Sequence, residues 1–192
     1  MRRIVRFLSE ERGSAYVVFW AFILPMLLAL LGLGADLSRV QAVHTKLQTA
    51  ADSAALAAVQ TAQALETYGY VPQYDSNGNL IELQKVITSN TYEIQDAGQA
   101  QQAADAAFNQ NMQNMVQNQD VTVTNTNGQI YSRRLENTPA NNDSYTYWAG
   151  ANVLTFYLGA AMKLIDPNGT DYTQFPVSVV GTASVAQPVQ GP

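Results

Sequence analysis

Residues 15–35 read AYVVFWAFILPMLLALLGLGA, 21 consecutive positions without a charge. At 1.5 Å per residue a helix of that length measures roughly 32 Å, against about 30 Å of bilayer hydrocarbon. The run therefore predicts one transmembrane helix. Pro25 sits near its centre, where a membrane helix tolerates it because neighbouring groups satisfy the freed carbonyl, and it predicts a kink.

The flanks predict the orientation. Arg2, Arg3, Arg6 and Arg12 precede the run, whereas only Arg39 and Lys46 follow it before residue 67. A Lys/Arg excess holds its side of the span in the cytoplasm, and Glu10 and Glu11 do not overturn it. Residues 1–14 are thus expected as a cytoplasmic basic N-terminus, 15–35 as the span, 36–66 as a juxtamembrane helix and 67–192 as an exported domain. The competing reading is a secretory signal cleaved near Gly34, against which stand the length of the run and Pro25.

The first 14 residues carry a net +2 and residues 36–192 a net −7. An acidic exported part argues against nucleic acid, which needs clustered Lys and Arg. The absence of cysteine excludes disulfides, thiol nucleophiles and Cys-ligated metals.

Beyond the span, DLSRVQAVHTKLQTAADSAALAAVQTAQALE (36–66) is free of Pro and Gly and rich in alanine, so it predicts continuation of the same helix. Leu37, Val40, His44, Leu47, Ala51, Ala54 and Ala58 alternate steps of three and four, which predicts one shared face. Asp36 and Arg39 are spaced as an i,i+3 pair at the membrane exit. Ala50, Ala54 and Ala58 form one small-xxx-small ladder and Ala51 with Ala55 another, and such faces admit a second backbone closely. Two occupants stay open: the protein's own globular part, or copies of itself and partner helices.

Arg12-Gly13-Ser14-Ala15, Phe22-Ile23-Leu24-Pro25, Asp36-Leu37-Ser38-Arg39 and Leu47-Gln48-Thr49-Ala50-Ala51-Asp52-Ser53-Ala54-Ala55-Leu56-Ala57 together resemble the N-terminal module of TadE/TadG-like proteins of bacterial Flp (Tad) pilus assembly. The resemblance covers about residues 10–60. It implies an inner-membrane-anchored, pseudopilin-like assembly component whose partners are other pilus-assembly proteins. Prepilin-like members carry a glutamate five residues after the processing glycine; here Val18 stands five after Gly13, so the resemblance is closer to TadG and processing there is not expected. The Asp-x-Ser-x-Ser metal motif of longer TadG-like proteins is missing, and no metal function carries over.

In residues 67–96, Gly69, Pro72 and Asp75–Asn79 predict loops around a turn, with short structure at Leu80–Leu83 and Val86-Ile87. Asp75, Asn77, Asn79 and Glu82 do not fit a calcium loop, whose glycine and glutamate belong at positions six and twelve. Gly98–Gln119 predicts an amphipathic helix with Ala100, Ala104, Phe108, Met112 and Met115 on one face. Val121–Thr124 and Ile130–Leu135 about Asn127-Gly128 predict a hairpin. Tyr145–Val153 and Pro176–Val185 predict further strands, and Leu154–Ile165 a short helix. The expected class is α+β, a small mainly antiparallel sheet packed on helices.

Chemistry has little to stand on. His44 is the single histidine and its nearest carboxylates are eight residues away, which leaves no Ser-His-Asp arrangement in view. The dispersed acids would serve a membrane-tethered hydrolase only if folding paired two of them. A non-enzymatic assembly component without cofactors is the main expectation, and an envelope binding module or adhesin the alternative.

Overall fold

The computed structural model describes residues 11–116, 120–132, 142–166, 168–169 and 173–187. The architecture is α+β, with a long N-terminal apolar helix ahead of two small antiparallel sheets and further helices. Two compact units divide the chain: Met1–Val43 with Asn152–Val177, and His44–Ala151 with Ser178–Pro192.

Helix α1 (Glu11–Val59) runs without interruption through Pro25. It ends at Val59, short of the expected Glu66. Its last carbonyls are taken by a tighter turn: the Thr61 amide and hydroxyl both donate to Ala58 O, at 3.1 and 2.7 Å, and the Ala62 amide donates to Val59 O. Helix-favouring Ala64, Leu65 and Glu66 then pair in a strand with Tyr92, Thr91 and Asn90. Tertiary pairing outweighs local propensity there.

Leu47, Ala51, Ala54 and Ala58 of the expected face are buried and Val40 is half-buried, but Leu37 and His44 give way to the residues just before them. Leu37 is 57% exposed and His44 is exposed, while Asp36, Val43, Leu47, Ala50, Ala51, Ala54, Ala55 and Ala58 are buried. Asp36, Val40, Val43 and Leu47 follow the same three-four rhythm as Leu37, Val40, His44 and Leu47. Hydropathy alone favours Leu37, because a buried aspartate is unexpected until its partner is known.

Strands β1 (Gln63–Tyr74) and β2 (Leu80–Glu93) pair antiparallel in a separate two-stranded sheet. Gly69 and Pro72, expected in loops, lie inside β1, opposite Val86 and Leu83. A proline is tolerated because both strands are edges, so its missing N–H interrupts no central ladder. The turn falls where Asn77-Gly78 predicted it. Gly78 has φ +83°, and Asp75 Oδ1 accepts the Asn77 and Asn79 amides at 2.8 and 2.7 Å. These bonds, those from Asn79 foremost, hold the Asp75 carboxyl below its ordinary range.

Helix α2 (Ala97–Val116) starts at Asp96, whose Oδ1 accepts the Gly98 and Gln99 amides at 2.8 and 3.0 Å. Ala100, Ala104, Phe108 and Met112 form its buried stripe as expected; the Met115 side chain lies outside the described residues. Strands β3 (Val121–Tyr131), β4 (Ser144–Leu154) and β5 (Gln174–Ser184) form the second sheet in the order β3-β4-β5. The central strand, β4, buries Tyr145, Tyr147, Ala149, Ala151 and Val153 in strict alternation. Helix α3 (Tyr157–Ile165) lies between β4 and β5 in the chain.

The hairpin expected about Asn127-Gly128 does not form. β3 passes straight through both residues, and Gly128 has no positive φ. Its glycine serves a close approach instead: an added Cβ would overlap the Tyr145 hydroxyl and stand 2.6 Å from Gln101 Oε1.

Candidate membrane anchor and assembly surfaces

Twelve large apolar side chains between Tyr16 and Leu31 are 47–76% exposed along α1. A water-soluble domain rarely shows so large a contiguous apolar surface, whereas lipid covers it at no cost. Among the described residues this is the one helix long and apolar enough to cross a membrane. Arg2, Arg3 and Arg6 lie outside the described residues; Arg12 falls in the first turn of α1, and its side chain lies outside them too.

At the end of that run, Asp36 is only 4% exposed. Its Oδ2 accepts the Tyr157 and Leu158 amides at 2.7 and 2.8 Å. These are the first donors of α3, which its own N-cap residue, Phe156, leaves without a side-chain acceptor. A carboxylate also suits the positive end of a helix dipole. One turn earlier, the Tyr157 ring lies on Gly32, and an added Cβ there would collide with it. Sequence spacing offered Asp36 only an i,i+3 partner; its bond to residues 157 and 158 leaves no local signal. Arg39 is half-buried.

The alanine seam belongs to the second unit, and the protein itself fills it. Ala50, Ala51, Ala54, Ala55 and Ala58 have no exposed surface. Gly181 of β5 lies against the Ala51 backbone, where an added Cβ would overlap the carbonyl. Gln48 Nε2 donates to Val180 O at 2.9 Å and to Asp52 Oδ1 at 2.8 Å. Asp52 itself is exposed. Leu47-Gln48 through Ala58 thus joins helix to sheet, so of the two occupants left open the structure fills the seam with the protein's own globular part.

In the same unit, two buried phenols face α2. Tyr145 donates to Gln101 Oε1 at 2.6 Å, and Tyr147 to Asp105 Oδ1 at 2.7 Å. Burial, then the Asp105 charge, pushes the Tyr145 phenol up to about 12. Burial and the hydrogen bond to Asp105 push Tyr147 up as well. The Phe108 and Tyr147 rings sit 5.4 Å apart, so this cluster serves as core.

What the second unit leaves uncovered is the β1–β2 ribbon. Leu65, Tyr70, Tyr74, Leu80, Ile81 and Leu83 are 43–65% exposed, on a sheet with both edges open. The ribbon is tied at its base, where Gln187 Nε2 donates to Tyr92 O and the Tyr92 amide donates to Gln187 Oε1. Sequence reading missed it because Gly69 and Pro72 masked the alternation.

A cleft of about 270 Å³ between Ser144–Thr146 and Thr182–Ser184 is lined by no carboxylate or imidazole. Among the described residues no group of three His, Cys, Asp or Glu side chains is placed to hold a metal.

Residues 13–63 match the Tad family, described as Flp pilus-assembly TadE/G-like. The match covers about a quarter of the chain and includes the apolar run and the alanine seam. No curated protein and no solved structure matches the chain.

Proposed function

We propose that the protein is a non-enzymatic, single-pass, pseudopilin-like component of a Flp/Tad-type pilus or a related secretion apparatus. Its N-terminus would lie in the cytoplasm, the span in the inner membrane and the rest outside. The observation that carries this reading is the coincidence of the TadE/G-like match, residues 13–63, with a helix whose lipid-length apolar run is exposed. The arginines at 2, 3, 6 and 12 support the orientation.

Its work would be binding. Because the alanine seam is filled, the supported contact surface moves to the β1–β2 ribbon, whose open edges and exposed Tyr and Leu side chains suit an extended segment of another assembly protein. Alkaline carbonate extraction of membranes, with immunodetection and intact-mass measurement, tests the anchor: the full-length chain should stay in the pellet. Release of the full-length chain, or a mature N-terminus near Ala35, would overturn it.

A further inference from the structure

The exposed face of α3 is unlike that of a helix on a soluble domain. Phe156 is 60% exposed, Tyr157 52%, Leu164 85% and Ile165 78%. Phe156, Ala160 and Leu164 recur every four residues on one side, with Tyr157 and Ile165 flanking them. Lys163 stands at the edge of that face, where its stem can run along lipid and its ammonium reach water.

The position of this helix along α1 is fixed by two contacts. Tyr157 rests on Gly32, within the last turn of the apolar run, and Asp36, the first charged residue after it, holds the Tyr157 and Leu158 amides. Gly32 and Asp36 are about 6 Å apart along a helix axis. The start of α3 is therefore held at the level where the hydrocarbon-length run ends.

We infer that α3 is an interfacial helix, bedded by Phe156, Tyr157, Leu164 and Ile165 in the outer boundary of the same bilayer that α1 crosses. This rests on the membrane-anchor reading. Lipid is the occupant because the exposed apolar face of α3 begins where the exposed apolar surface of α1 ends, so one bilayer covers both. A helix with one exposed apolar side can lie in the headgroup–acyl boundary with that side inward. The Asp36 carboxylate is then a positioning group that fixes the depth of α3.

The chain contains no cysteine, so a single introduced thiol labels cleanly. The full chain is reconstituted in phosphatidylethanolamine–phosphatidylglycerol vesicles and spin-labelled at Leu28→Cys, Leu164→Cys or Ser76→Cys. Collision with oxygen and with a water-soluble nickel chelate is then measured. Position 164 is expected to resemble 28, with oxygen contact several-fold above nickel contact, and Ser76 in the turn to show the reverse. If 28 is in lipid but 164 meets nickel freely, α3 lies in water and the inference fails. If 164 is shielded from both reagents, protein covers the face, whether a second copy or a partner, and the inference fails equally. Nickel contact at 28 would instead sink the anchor itself. Ile165→Cys reads the same surface independently.

Discussion

Gly181→Ala is the sharpest perturbation of the joint between helix and sheet. The new methyl would overlap the Ala51 carbonyl and stand 2.6 Å from the Asp52 nitrogen. All three are backbone atoms of a helix interior, so no rotamer change relieves the contact, and β5 must move off the seam. Overpacking of a tight core costs about 1–3 kcal/mol, and the rigid partner puts this case at about 3. Restricting the unfolded chain by replacing glycine returns about 0.4–1 kcal/mol, which leaves a net loss of about 2. Each kcal/mol moves the Tm of a chain this size by about 2–4 °C, so the midpoint should fall by about 4–8 °C. Thermal unfolding of the detergent-solubilised protein, followed by far-ultraviolet circular dichroism, measures it. Gly34→Ala is the control: nothing lies within 4 Å of the new Cβ, and alanine favours helix, so its midpoint should hold or rise. A Gly181→Ala midpoint equal to wild type would refute the close approach of β5 to the seam.

Gln48→Leu removes the donor to Val180 O and should cost about 1 kcal/mol, read as a Tm fall of about 2–4 °C in the same scan. Alkaline pH should destabilise the protein: below pH 10 the Tyr145 and Tyr147 phenols keep their protons in both states. Above it the unfolded phenols ionise while the folded ones, raised in pKa, stay protonated, so stability falls as pH rises from 10 towards 12. Denaturant midpoints across that range check it, and Tyr147→Phe should flatten the slope. Ile81→Ser with Leu83→Ser, both on exposed ribbon positions, should leave stability within about 1 kcal/mol while removing capture of pilus-assembly partners; retained capture would exclude the ribbon as the contact surface.

The elements that could be read from sequence were those whose pattern is set by one environment along their whole length. The 15–35 run, the α2 stripe and the alternation of Tyr145, Tyr147, Ala149, Ala151 and Val153 all announce themselves that way. Asn77-Gly78 and Asn127-Gly128 carry the same turn signal, yet only Gly78 takes positive φ. Glycine is selected either for dihedral freedom or for a missing Cβ, and a dipeptide does not say which. The burial of Asp36 in place of Leu37 was missed for a similar reason. A buried aspartate outranks a leucine there because two amides 121 and 122 residues away need an acceptor. The LQxAAD segment was legible as a packing face; that its occupant is β5, brought by Gly181 and Val180, was not.

That occupant has a bearing on biogenesis. Gln48 and Val180 are 132 residues apart, so the ribosome completes the first long before the second. Throughout that interval the part of the seam that β5 covers, about Gln48 and Ala51, is bare, and a neighbouring nascent chain offers the same surface. Vulnerability to mispairing is thus greatest before the final strand arrives, and truncations between Ile165 and Gln174 should yield sticky, chaperone-dependent products even though α1, α2 and α3 are complete.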